Sequence, residues 1–324
     1  MKKTKSGYIS TFLTIVVLFL FVIYLYRNPD IINVVLDTQP KYLLIIATIF
    51  VSVFFLEGLF IRVTLKAFDK NISIKESFYL STLSRIGNYL LPMRAGAIFR
   101  ATYLKKKYSF DYSKFLSTLY GYYIILFLLY SFVAIITLLL KSFLNGETFL
   151  ILILFFIGLF LAMLFLMFVR IPFEKFLKTK ESIILKIVGF LDRFIRSWDV
   201  IVKNRRLLMQ LIYITFLYIL LNSIIIYVEF LSLNISVNFL NLMLYSCLSG
   251  VSLLISLTPG SLGIREAVFL ISSESIGLDQ DQILQLAVID RGVLFILLAF
   301  LMVVIFLFLK KFNLRDVYFA KKEN

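Results

Sequence analysis

The sequence predicts an all-α polytopic membrane protein, and three observations carry that prediction. Of the 324 residues, 61% are hydrophobic and 17% aromatic, more apolar surface than a soluble domain of this size can hide from water. The apolar residues fall in long uncharged blocks, the first running from Ile9 to Tyr26, near the lower limit for crossing a bilayer as a helix. The Lys and Arg residues gather in short segments between the blocks, as in a chain whose basic loops stay in the cytoplasm.

The elements follow in order. Lys2, Lys3 and Lys5 hold the N-terminus inside and Ile9–Tyr26 leads outward. Asn28, Pro29 and Asp30 offer no small-residue cleavage site, so this block is read as a retained helix. After a loop poor in positive charge, Tyr42–Ile61 returns to the basic stretch of Arg62, Lys66, Lys70 and Lys75. Residues 79–104 have basic flanks on both sides, and Pro92 and Gly96 interrupt a straight helix. A re-entrant hairpin entered from the cytoplasm fits, provided protein or a polar cavity surrounds its broken backbone. Tyr112–Leu140 crosses outward, Lys141 to Glu147 form a short external turn, and Phe149–Val169 returns.

Residues 170–206 form a cytoplasmic amphipathic segment, with Leu191, Phe194, Trp198 and Ile201 at helical spacing. It either lies on the inner leaflet or packs against the cytoplasmic ends of the bundle. Leu207–Leu231 crosses outward again. Residues 239–276 make a second broken hairpin, entered from outside, and Ile283–Leu309 ends among Lys310, Lys311 and Arg315. The expected protein is thus a single domain, 1–324, in the cell membrane. It has about six full transmembrane helices, two oppositely oriented re-entrant hairpins and both termini cytoplasmic.

Composition also excludes several functions. A net charge of +15 would suit nucleic acid only on a soluble basic face, which this composition leaves no room for. The absence of histidine excludes imidazole catalysis and histidine metal ligation, and the single Cys247 excludes an intrachain disulfide. No GxxxxGK[ST] loop is present, so ATP-driven transport by this chain is not expected, and no cofactor is expected.

The two broken regions resemble each other. PMRAGAIFR, from Pro92 to Arg100, can be laid beside PGSLGIREA, from Pro259 to Ala267, with the proline and the glycine four residues later in register. Opposite entry directions would make this an inverted repeat, the arrangement that sets broken helices face to face near the membrane midplane. Glu57, Arg85, Arg94, Arg100, Arg265, Glu266, Asp290 and Arg291 all fall within or beside apolar segments, where a charge must pair or face water. Asp290 and Arg291 adjoin each other and so point different ways on a helix, which calls for a separate partner for each. Arg85 and Arg100, nearer the basic flanks, are expected to snorkel. Arg94 and Arg265 stand beside the breaks, where a guanidinium and free backbone N–H groups favour a phosphate.

At these motifs the sequence resembles a family of flippase-like membrane proteins related to the transmembrane region of lysylphosphatidylglycerol synthase. The family's first motif, P-G-R-x-G-E-x-x-R, is matched at Pro92, Arg94, Gly96 and Arg100, with Met93 and Ala97 in place of glycine and glutamate. The second, P-G-G-x-G-x-x-E, is matched at Pro259, Gly260, Gly263 and Glu266, with Ser261 departing. The resemblance implies transbilayer movement or handling of an anionic or aminoacylated phospholipid, or of a polyprenyl-phosphate-linked lipid. It also implies a possible synthase or glycosyltransferase partner. In the full-length synthases a soluble C-terminal domain carries the aminoacyl transfer. The chain here stops at Asn324, so transferase activity is not expected. The alternative is a membrane enzyme or a partner subunit of a lipid synthase, with Glu57, Glu266 or Asp290 as acid–base groups, although no catalytic motif singles them out.

Overall fold

The computed structural model describes residues 37–90, 94–146, 149–169, 182–255, 258–261 and 263–309. All regular structure among them is helical. The helices are α1 (Pro40–Lys66), α2 (Ile74–Leu90), α3 (Ala95–Tyr108), α4 (Tyr112–Asn145), α5 (Leu150–Phe168), α6 (Ser182–Lys203), α7 (Arg205–Ser232), α8 (Phe239–Val251), α9 (Ile264–Ile271), α10 (Ser273–Ile276) and α11 (Gln280–Leu309). Two short 3-10 turns, Ser252–Ile255 and Pro259–Ser261, link α8 to α9.

Five of these helices, α1, α4, α5, α7 and α11, are long and apolar enough to cross a membrane. They coincide with five of the six expected crossings; the sixth, Ile9–Tyr26, lies outside the described residues. The 34 residues of α4 extend about 50 Å, well beyond the ~30 Å hydrocarbon core, so this helix tilts or projects.

Local chemistry explains the boundaries. Pro40 opens α1, where its missing N–H would have no helical partner. Asn204 and Asn238 cap α7 and α8, their side chains accepting from the Leu207 and Asn241 N–H groups at 3.0 and 2.7 Å. Gly146 ends α4 with φ 70°, and its N–H donates to the Ser142 carbonyl. Within the apolar helices, hydroxyls bond back to carbonyls four residues earlier, as Thr64 to Phe60 and Ser131 to Phe127 at 2.7 Å, which satisfies them without water.

The main core lies where α1, α4, α7, α8 and α11 meet, around Phe54, Leu126, Phe230, Tyr245 and Ile283. Close helix approach depends on small side chains. A Cβ on Gly250 of α8 would stand 2.1 Å from the Tyr130 ring of α4, and one on Gly121 would stand 2.5 Å from Trp198. In contrast, α5 is barely covered, with 17% of its most apolar stretch buried by protein. Such an uncovered apolar face is the mark of a lipid-facing helix.

The amphipathic α6 turns its apolar stripe toward the bundle. Trp198 and Ile201 are buried, Trp198 donates its indole N–H to the Met167 carbonyl at 3.2 Å, and the Phe194 carbonyl accepts from Ser117 at 2.7 Å. Of the two expectations for this segment, packing against the bundle holds for these described residues, because the indole finds its polar partner there.

Candidate functional site

The first broken region places α2 and α3 side by side. A Cβ on Gly96 would stand 1.8 Å from the Ser84 carbonyl oxygen, and one on Gly87 would stand 2.7 Å from the Gly96 Cα, so the backbones touch where two glycines meet. Pro92 lies outside the described residues. Arg94, two residues on, caps α3 in the left-handed region at φ 51°, a conformation that costs a non-glycine residue about 1–3 kcal/mol. In the second region Ser261, also two residues after the proline, has φ 56°, and Gly260 and Gly263 have φ 57° and 78°. The two motifs therefore share a left-handed residue at equivalent positions.

Both breaks open on one cavity of about 190 Å³. Arg94, Ala97, Arg100 and Leu104 line it from α3 at intervals of three or four residues, a single helix face. Glu57 reaches it from α1, Arg85 and Tyr89 from α2, Tyr122 and Tyr123 from α4, Gly260 and Arg265 from the second motif, and Asp290 and Arg291 from α11. Of the charged groups expected at the site, only Glu266 stands back from the cavity wall.

The charges pair unevenly. Arg85 binds Glu57. Arg265 Nη2 lies 2.8 Å from Asp290 Oδ2, an ion pair without hydrogen-bond alignment at that oxygen. Arg291 is the most engaged group. Its Nη2 donates to Glu266 at 3.1 Å, its Nη1 donates to the Tyr89 hydroxyl at 2.9 Å and to the Gly260 carbonyl at 2.6 Å, and its Nε lies 4.0 Å from Asp290. Asp290 and Arg291 thus find separate main partners, as their adjacency requires. Glu266 Oε2 also accepts from the Gly263 N–H at 2.8 Å, which caps α9, and the glycine has no side chain to return the bond.

Arg94 and Arg100 differ. Arg94 donates to the Leu253 carbonyl at 2.6 Å and lies 4.6 Å above the Tyr123 ring; Arg100 lies 5.3 Å from the Phe115 ring. Neither has a carboxylate within ion-pair distance among the described residues. The Arg94–Leu253 bond also ties the first motif to the 3-10 turn before the second.

The structure revises part of the expected site. Arg85 and Arg100, expected to snorkel, line the cavity instead, Arg85 bound to Glu57 of α1 and Arg100 set over the Phe115 ring of α4. Arg265, expected to be available to a ligand, is held by Asp290. Two contributions went unforeseen: the tyrosines of α2 and α4, and Glu229, a wholly buried carboxylate on α7. An acidic residue inside the apolar run Leu207–Leu231 was the signal for the latter.

A family profile described as lysylphosphatidylglycerol synthase TM region matches residues 9–316. A search of curated proteins returned no match.

Proposed function

The chain belongs to the family of the lysylphosphatidylglycerol synthase TM region, and from that premise we propose that its cavity takes the phosphate-bearing headgroup of an anionic lipid across the bilayer. The observation that carries this reading is the pair Arg94 and Arg100, two guanidiniums on one helix face with no carboxylate at ion-pair distance among the described residues. A guanidinium keeps its charge when desolvated and grips phosphate with two parallel N–H bonds. A cavity of about 190 Å³ is smaller than the ~300–1,000 Å³ of pockets that enclose a drug-sized ligand, so it suits a headgroup whose acyl chains remain in the membrane.

In this reading the α2–α3 hairpin enters from the cytoplasmic side and the α8–α9 hairpin from outside, with both chain termini cytoplasmic. Phosphatidylglycerol, its aminoacylated forms and polyprenyl phosphates all carry the required phosphodiester or phosphate. The acid–base reading has no comparable observation behind it, because Glu57, Glu266 and Asp290 are each engaged by an arginine.

Proteoliposomes carrying headgroup- or chain-labelled lipids test the proposal. The expected result is protein-dependent movement of anionic lipids between leaflets, faster than in protein-free vesicles of the same composition. Equal rates with and without protein across phosphatidylglycerol, lysyl-phosphatidylglycerol and a polyprenyl phosphate would reject it. Single cysteines at Asp279 and Lys106 test the orientation: an impermeant reagent added outside should modify only the first.

A further inference from the structure

Behind the cavity wall stands a charge cluster that does not balance. Arg265 and Arg291 supply two positive charges, and Glu266, Asp290 and Glu229 supply three negative ones. Glu229 has no solvent exposure, and neither of its oxygens has a hydrogen-bond partner among the described residues. The charged groups that act on it are Asp290, Arg265 and Arg291. Asp290 Oδ2 is likewise buried without an aligned donor.

With Asp290 already paired to Arg265 and both Glu229 oxygens lacking a donor, the Glu229 carboxylate is left without a counter-ion of its own. Burying an unpaired charge costs several kcal/mol even after relaxation. One added proton removes both faults at once: it cancels the surplus negative charge and supplies the missing O–H donor. We propose that Glu229 and Asp290 form a proton-binding site inside the bundle, with the proton resident on Glu229 and shared toward Asp290 Oδ2. Because Asp290 also holds Arg265 at the cavity wall, the site sits one ion pair away from the cavity.

The remaining titratable groups on elements packed against α7 do not supply the counter-charge. Tyr245 of α8 stands at the same cluster with a buried hydroxyl that has no hydrogen-bond partner among the described residues, a dipole rather than a counter-charge. Glu57 of α1 is bound by Arg85, and Lys141 of α4 donates to the Ser275 carbonyl. Asp192 and Asp199 of α6 pair with Arg196 and Lys203 on their own helix, near the other end of α7.

Infrared difference spectroscopy of the intact purified protein reads the proton directly, through the C=O stretch of a protonated carboxyl. The wild type should show that band at neutral pH, and Glu229→Gln, which keeps the shape and removes the acid, should lose it. Asp290→Asn guards against a trivial effect of the first substitution. With Asp290 neutral, Glu229 becomes the counter-charge for Arg265 and gives up its proton, so the band should vanish although Glu229 remains. Absence of the band from the wild type, or its persistence in either variant, would overturn the assignment.

Discussion

The two motifs are alike in backbone and differ in how their charge is balanced. Both place a left-handed residue two positions after their proline, and both face one cavity. The second is closed electrostatically: Glu266 caps α9 and binds Arg291, while Arg265 is held by Asp290. The first has no such carboxylate, because Ala97 stands where the family commonly carries glutamate, and Ala97 itself lines the cavity. Arg94 and Arg100 are left with a carbonyl and aromatic rings as partners. The difference separates two jobs that arginines do inside a membrane. One set fixes the fold; the other leaves charge available to a ligand.

The largest expected effect lies in the closed motif. Arg291→Ala strands Glu266, the Tyr89 hydroxyl and the Gly260 carbonyl together, and breaking a buried pair in this way costs about 3–5 kcal/mol. Thermal unfolding in detergent should show a large loss of stability. A melting temperature equal to wild type would erase the distinction between the motifs.

Arg94→Ala should do the reverse, with a small change in stability and a large change in lipid affinity. A hydrogen bond to a charged group contributes about 1.5–3 kcal/mol, so binding of short-chain phosphatidylglycerol should fall roughly tenfold or more. Arg94→Lys should rescue it only in part, since lysine keeps the charge and loses the fork.

Ala97→Glu sharpens the comparison by restoring a carboxylate to the open motif. Placed on the same face as Arg94 and Arg100, it should engage one of them and weaken anion binding several-fold, without the stability loss of Arg291→Ala. Isothermal titration of both variants with the same lipid distinguishes these outcomes; tighter binding in Ala97→Glu would contradict the role given to uncompensated charge.

The smallest effect belongs to a cluster at the start of α2, away from both motifs and outside the five crossing helices. Burial works against the Glu76 carboxylate, but hydrogen bonds from Tyr103, Tyr108 and Lys107 outweigh it and hold its pKa below the ordinary 4.5. A lowered pKa contributes stability that is fully present above the unfolded value and is lost as pH falls through the folded one. Wild type should therefore be slightly more stable than Glu76→Gln at pH 7, and the gap should close well below pH 4.5. A gap that widened on acidification would reverse the sign.

Much of this architecture is legible in the sequence. Uncharged blocks mark the crossings, because each residue's own hydropathy decides whether a bilayer can hold it. The breaks at Pro92–Gly96 and Pro259–Gly263 are legible because proline and glycine act on the backbone locally. Which carboxylate meets which arginine is not, since Arg291 reaches Glu266 across 25 residues and Tyr89 across 202. Those meetings depend on how α2, α9 and α11 pack, which neighbouring residues do not encode. Glu229 shows the complementary limit. Its place in an apolar helix marks it as unusual, but only the fold sets it beside Asp290 and the arginine that Asp290 holds.

The central claim is that Arg94 and Arg100 hold an anionic headgroup during its passage. Its most direct test is the movement of labelled phosphatidylglycerol in proteoliposomes containing the Arg94→Ala/Arg100→Ala double variant. Protein amount and melting temperature are matched to wild type. The account predicts that the double variant, although folded, loses at least nine-tenths of the protein-dependent rate, from the combined removal of two charge-assisted contacts of about 1.5–3 kcal/mol each. A folded double variant that moves the lipid at the wild-type rate would contradict it.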